Sequence, residues 1–220
     1  MSRSIRPRIV GVIFSPADFR RAIKMRNPPA LFELRLDGLV NSLERIQTLI
    51  RDLPAPFIAT ARHPGEGGAN HLSASERRTL LLEFLPHAAF VDIESRSLRF
   101  SGAVLERAAA NQIPAIISLH DLEDTPSRSR LDNFAAAARS ARADIIKVAT
   151  RTDTRSQLQR LFDFFDAHHA HSKIAAMGIG KLGRVSRIEL LRRGSLLNYA
   201  HLGVPRASGQ LSVAELRRVK

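Results

Sequence analysis

Lys147 stands in the middle of Ala143-Asp144-Ile145-Ile146-Lys147-Val148-Ala149-Thr150, an apolar run with the length and branched composition of a buried strand. The chain holds 34 Lys+Arg, of which only five are lysines, so a lysine at a desolvated position goes against its prevailing preference. Burial disfavours an ammonium, lowers its pKa and exposes a nucleophilic amine at neutral pH. The plainer reading is a strand-end lysine whose amine reaches solvent along its own stem. The other strand-like segments decide between the two.

Residues two apart in a strand share a face. On that parity Glu33, Arg35 and Asp37 point one way, while Phe32, Leu34 and Leu36 point to a helix layer. Thr60 likewise joins Arg62, Asp92 joins Glu94, Ser118 joins His120, and Lys147 shares its face with Ile145 and Ala149. One such pair could be an ion pair buried for structure, but a series of them at successive strand ends describes a site. A lysine amine forms an imine with a ketone, and the imine acidifies the neighbouring C–H. A histidine, with an ordinary pKa of about 6.5, can take that proton and later return it. Arg35, Arg62 and Arg187 suit bidentate recognition of a carboxylate. These residue types point to imine chemistry on an anionic keto compound.

Positioning such a set requires a regular frame. Strands are expected over 8–14, 31–37, 57–62, 90–94, 115–120, 143–150, 173–177 and 195–199, each an apolar or alternating run. Helices fall between them. Ser15-Pro16 opens the first, which Pro28-Pro29 stops; Asn41 with Glu44, Ser73 with Glu76, and Ser186 with Glu189 are read as caps; Ser212 starts the last. Eight strand–helix units with short connections and no linker predict a parallel sheet, and eight favour a single (β/α)8 barrel over residues 1–220. Active sites of that fold lie at the C-terminal ends of the strands, where the polar groups above fall.

Composition bounds the rest. With 44% hydrophobic and 25% charged residues the chain reads as an ordinary globular domain. Without cysteine it can form neither a disulfide nor a thiolate metal site. No apolar run approaches the roughly 20 residues of a membrane span, and the basic start, Met1 to Arg8, leads into no apolar signal core, so a cytoplasmic protein is expected. A net charge of +13 could indicate a nucleic-acid partner, but the arginines are dispersed, aromatic content is 5% and tryptophan is absent, which argues against base stacking. The same field would attract an anionic substrate.

At these residues the chain resembles the type I 3-dehydroquinate dehydratases, the Schiff-base dehydratases of the shikimate pathway. The resemblance is carried by Glu33-Leu-Arg35-Leu-Asp37, Thr60-Ala-Arg62 with Glu66-Gly67-Gly68, Val91-Asp92-Ile-Glu94, Ser118-Leu-His120-Asp121 and Ile146-Lys147-Val-Ala149, then by Met177-Gly178, Gly183, Ser186-Arg187 and Gly209-Gln210. It runs from about residue 8 to 217. It implies that Lys147 forms the imine with the C3 ketone of 3-dehydroquinate. His120 would abstract the C2 proton and protonate the departing C1 hydroxyl, with Glu66 positioning it. Glu33, Arg35 and Arg62 would contact ring hydroxyls and neighbouring groups, Arg187 the carboxylate, and Gln210 would lie on a closing loop. It also implies no metal or organic cofactor, and a homodimer. The chain departs from the pattern once: where the family's late loop reads Ser-x-Pro-Gly-Gln, Arg206 takes the serine position, and Ser208 is the hydroxyl that could serve instead if the loop shifts.

Other motifs compete less well. Gly178-Ile-Gly180-Lys-Leu-Gly183 fits a dinucleotide fingerprint, but the acidic residue wanted about 20 positions on is missing; a turn offering backbone N–H groups to an anion is the expectation. His168, His169 and His171 are read as a polar helix end, and Phe162, Phe164 and Phe165 as core. The alternatives are another Schiff-base lyase or aldolase, an inactive barrel kept as a scaffold, and a basic barrel that binds nucleic acid.

Overall fold

The computed structural model describes residues 7–219. Its strands are β1 (Arg8–Ile13), β2 (Leu31–Arg35), β3 (Phe57–Thr60), β4 (Phe90–Glu94), β5 (Ala115–Asp121), β6 (Ile145–Arg151), β7 (Ile174–Ile179) and β8 (Leu197–His201). The helices are α1 (Pro16–Ile23), a single turn α2 (Leu36–Leu39), α3 (Leu43–Leu49), α4 (Ala74–Phe84), α5 (Gly102–Ala110), α6 (Arg128–Ser140), α7 (Arg155–His168), α8 (Gly183–Arg192) and α9 (Val213–Arg217). All ladders are parallel, in the order β7-β6-β5-β4-β3-β2-β1-β8, the (β/α)8 arrangement expected from the sequence. The ring closes almost completely. Between β7 and β8 there is no ladder; Leu196 N donates to Ile174 O at 2.9 Å, and the Ser195 hydroxyl bridges to Ala176.

Strand parity sets two concentric cores. Outward residues such as Phe32, Leu34, Ala59, Val91, Ile117, Ile146 and Ala176 pack against the helices, where Phe164 and Phe165 are also buried. Inward residues, including Val10, Leu31, Ile58, Ile116, Ile145 and Leu197, fill the lower barrel. One inward step further along β2, β3, β4, β5 and β6 stand Glu33, Thr60, Asp92, Ser118 and Lys147. The apolar floor ends and a polar layer begins, so these side chains are held by strands on all sides and cannot turn to bulk water.

Several local expectations are corrected. β2 stops at Arg35, and Asp37 lies on the α2 turn, not on the strand; it is buried all the same, accepting from Arg62 N and Ala69 N. Arg62 follows β3 instead of ending it. Asn41 caps nothing: it sits in a 3-10 turn over Val40–Ser42, and no side chain caps α3, whose N-cap residue is Ser42. Ser186 lies inside α8, where its hydroxyl accepts from Gly178 N and donates to Gly183 O, tying the helix to β7. Reciprocal capping boxes do form at Ser15–Asp18, Ser73–Glu76, Thr154–Gln157 and Ser212–Glu215.

Loss of a working cap costs about 1 kcal/mol. Ser73→Ala is therefore expected to lower stability by about that amount and Asn41→Ala by a few tenths at most, read as denaturant midpoints at unchanged slope.

Candidate active site

The polar layer is a network of buried charges. Lys147 is 2% exposed, and its Nζ donates to Asp92 Oδ2 at 2.8 Å and Glu33 Oε1 at 3.1 Å, lying 3.9 Å from the centre of the Tyr199 ring. The lysine does not reach solvent. Arg62 supplies the second cation: NH1 meets Asp92 Oδ1 and Glu94 Oε1 at 3.1 Å each and donates to Ser118 Oγ at 2.9 Å, while NH2 donates to Asp92 Oδ2 at 3.2 Å. Asp92 also accepts from Ser118 Oγ at 2.6 Å. Burial pushes the Asp92 carboxyl up, but Arg62 and Lys147 outweigh it and hold the group well below the usual carboxylate range. Burial likewise raises the Tyr199 phenol, helped by Glu33 and Asp92, so the ring stays neutral beside the amine.

His120 stands one inward step nearer the mouth than Lys147 on the neighbouring strand, since Ser118 pairs with Lys147 and His120 with Ala149. Burial, together with Arg62 and Lys147, holds its imidazole well below its ordinary range. Its Nδ1 is 2.9 Å from Glu66 Oε2 and 3.2 Å from Arg62 NH1. Glu66 reaches it from the loop after β3. That loop folds back tightly: Glu66 N and Gly68 N both donate to His63 O, Gly67 has φ +81°, and a Cβ at residue 68 would lie 2.1 Å from Arg62 O. Glycine is required at both places. Glu66 also accepts from His120 N at 3.0 Å, and Arg96 Nε grips its other oxygen at 2.9 Å. Burial raises its pKa from an ordinary 4.5 to about 7, with Arg62 and Arg96 opposing and Glu94 adding to the rise.

Arg187 completes the wall. It is buried, donates through Nε to Gly178 O at 3.2 Å and through NH1 to Tyr199 O at 3.0 Å, and meets no carboxylate. Burial without a counter-charge lowers its pKa from 12.5 to about 10. A guanidinium so placed is short of an anion.

These groups open on one cavity of about 150 Å³, lined by Glu33, Arg35, Arg62, Glu66, His120 and Lys147 on one side and by Met177, Arg187, Tyr199, Arg206 and Gln210 on the other. Eight of the nine residues expected from sequence therefore share it. Arg35 is steadied there by Asp37 at 2.8 and 2.9 Å and by Gly67 O at 3.1 Å. The ninth, Ser208, is exposed and absent from the lining, and its carbonyl accepts from Gly180 N. Arg206 lines the mouth instead, its guanidinium 4.4 Å from the Phe14 ring and 3.6 Å from Asp18, with its backbone N donating to Gln210 Oε1 at 2.8 Å. The glycine-rich turn after β7 does not present N–H groups to an anion: those of Gly178, Gly180, Lys181, Leu182 and Gly183 all donate within the protein.

Comparison with known proteins places this geometry. A sequence model of the type I 3-dehydroquinase family matches residues 15–219. The chain belongs to the type I 3-dehydroquinase family. It is 35% identical over 194 residues to the 3-dehydroquinate dehydratase of Methanothermobacter thermautotrophicus, covering 86% of this chain and 83% of that one. The 3-dehydroquinate dehydratase of Dehalococcoides mccartyi is 34% identical over 198 residues, 89% of this chain and 86% of the relative. In fold it is similar to the type I 3-dehydroquinate dehydratase of Clostridium difficile, with a TM-score of 0.83 at 23% identity over 97% of this chain and 90% of the other.

Two residues of this type I 3-dehydroquinase site were not singled out from sequence. Tyr199 is the chain's one tyrosine, and its inward parity with Leu197 was a usable signal. Arg96 gave none, being an exposed arginine in a 3-10 turn until the fold sets it against Glu66.

The Glu66 shift fixes a pH dependence. Between pH 4.5 and about 7 the folded chain keeps a proton that the unfolded chain has released, so stability falls as pH rises across that window. The slope reaches at most about 1.4 kcal/mol per pH unit. Glu66→Gln should lose this component, gaining on the parent chain from pH 5 to 8 in denaturant midpoints; parallel curves would contradict it.

Proposed function

We propose that the chain dehydrates 3-dehydroquinate to 3-dehydroshikimate through an imine on Lys147, and that the residues of the cavity divide the work as follows. The observation that carries this reading is the buried amine of Lys147 facing a histidine–glutamate pair across a cavity that also exposes an unpaired guanidinium. Family membership and relatives named as 3-dehydroquinate dehydratases support it.

Arg187 takes the substrate carboxylate, the one anion that fits a buried guanidinium with only carbonyl partners. Glu33, Arg35, Arg62 and Gln210 position the ring hydroxyls. Lys147 gives a proton to the neighbouring acid–base groups, adds to the C3 ketone and, on loss of water, becomes an iminium. The iminium draws electrons from the adjacent C2–H bond; His120 removes that proton and then delivers it to the C1 hydroxyl, which leaves as water in a syn elimination. Water then hydrolyses the imine to release product and restore the amine. Asp92 and Glu33 lie against Nζ and stabilise whichever cation it carries.

Glu66 decides which nitrogen of His120 is basic. When ionised it accepts from Nδ1–H, leaving the Nε2 lone pair for the substrate; when protonated it donates to Nδ1, and Nε2 carries the hydrogen and cannot act as base. A homodimer in the cytoplasm is the setting this reading takes. No helix among the described residues is long and apolar enough to cross a membrane.

The test is borohydride reduction in the presence of 3-dehydroquinate, followed by intact mass and a peptide map. An adduct on Lys147, absent from Lys147→Ala, is expected; neither adduct nor enone product would end the proposal. His120→Ala should lower kcat by roughly 10²–10⁴ while still forming the adduct. The kcat/KM of the parent chain should rise through about pH 7, where Glu66 ionises, and Glu66→Gln should lack that limb.

A further inference from the structure

Three guanidiniums are buried among the described residues, those of Arg62, Arg77 and Arg187. Arg62 lies among carboxylates; Arg187 meets only backbone carbonyls and faces the barrel cavity. Arg77, on α4 and 6% exposed, repeats the second pattern outside the barrel. It donates to Leu72 O at 2.7 Å and to Ser97 Oγ at 3.3 Å, and no carboxylate touches it. A guanidinium has five N–H groups, so most of its donors are uncommitted. Its charge reaches an acid only through Ser97, whose hydroxyl donates to Glu94, and Glu94 already serves Arg62.

Arg77 lines a cleft of about 490 Å³ beside the loops that follow β3 and β4, together with His63, Arg96 and Arg99. No aspartate or glutamate lines this cleft. His63 adds a donor: its Nδ1 accepts from Gly65 N at 2.9 Å, which puts the hydrogen of the neutral ring on Nε2. Burial, then the fields of Arg77 and Arg96, hold this imidazole below its ordinary pKa, as expected in a strongly positive concavity. Arg99 lies over the half-exposed Phe100 ring at 4.5 Å. Three guanidiniums around one concavity, one of them buried without a counter-charge, match an anion with several acceptor oxygens.

We propose that this cleft binds a phosphate group, free or esterified, held by Arg77, Arg96 and Arg99, and that its occupancy is transmitted to the barrel through Arg96. Arg96 stands between the two sites. Its Nε grips Glu66 Oε1 at 2.9 Å, and Glu66 holds His120. An anion that draws Arg96 outward weakens that grip and loosens the carboxylate that orients the imidazole. Arg96 is thus a positioning residue with two claimants, one inside the barrel and one outside.

The test is calorimetric titration with inorganic phosphate, and in parallel with glycerol 3-phosphate, at an ionic strength fixed with sodium chloride. Binding is expected to survive Arg187→Met, which removes the barrel's own unpaired guanidinium, and to weaken at least tenfold in Arg99→Met. Arg99 is exposed and outside the catalytic machinery, and the neutral replacement adds no charge to compete for Arg96, so that variant keeps its basal turnover. Tighter binding of the ester assigns the site to a phosphate monoester, and equal binding to the free ion. No binding by either, or binding lost in Arg187→Met and untouched in Arg99→Met, overturns the site. Arg77→Met should show the same loss; where it fails to fold, Arg99→Met decides alone. Transmission predicts that phosphate lowers kcat in the parent chain but not in Arg99→Met, whereas purely competitive inhibition equal in both would overturn it. Binding is read without turnover, so failure of the assigned reaction leaves the site testable.

Discussion

The pairing of two cations with three carboxylates inside the barrel is the constraint on which the rest of this molecule depends. Arg62 and Lys147 face Glu33, Asp92 and Glu94, and none of the five is more than 3% exposed. An isolated ion at such depth costs several kcal/mol, and only close mutual contact makes the set tolerable. The contacts come from β2, β4 and β6 and from Arg62, two residues past β3, so each strand must hold its register for the charges to meet. The chemistry depends on that arrangement. A protonated imine at residue 147 carries the same charge as the ammonium it replaces, so the carboxylates around Nζ need no rearrangement as the reaction proceeds.

Much of this was legible from the chain, for a physical reason. A buried strand is apolar by default, so every ionisable residue on its inward parity is conspicuous, as Glu33, Asp92, His120 and Lys147 were. The barrel followed from the count of alternating units. What sequence could not supply was the end of each element. The alternation of Glu33 and Arg35 continues unbroken to Asp37 in sequence, yet the chain turns into α2 after Arg35, and Asp37 is held under the loop by Arg62 N and Ala69 N. Asn41 has the spacing of a cap without the backbone conformation for one. Ser186 has a cap's spacing too, but its hydroxyl is committed to holding α8 against β7. Ser208 offers a hydroxyl two residues from Arg206, but the loop turns it outward and presents Arg206 to the cavity.

The arginine excess, opaque as composition, resolves into distinct tasks once the surroundings of each guanidinium are known. Arg62 is a counter-ion held among Glu33, Asp92 and Glu94. Arg35 is braced by Asp37 and Gly67 at the rim, and Arg206 is tied to Phe14 and Asp18. Arg187 and Arg77 are buried charges left without an acid. Net charge alone would assign all of these to one electrostatic surface; burial and partners separate them.

The unladdered seam between β7 and β8 has a mechanical meaning. A barrel is a hoop, and a hoop yields where it is not fastened. Here one fastener is the Arg187 side chain, which reaches Gly178 O on β7 with one N–H and Tyr199 O on β8 with another. The same planar group that turns its remaining donors to the cavity is a rivet across the gap. The cavity wall and the seam therefore share one side chain, and a change at residue 187 alters both at once.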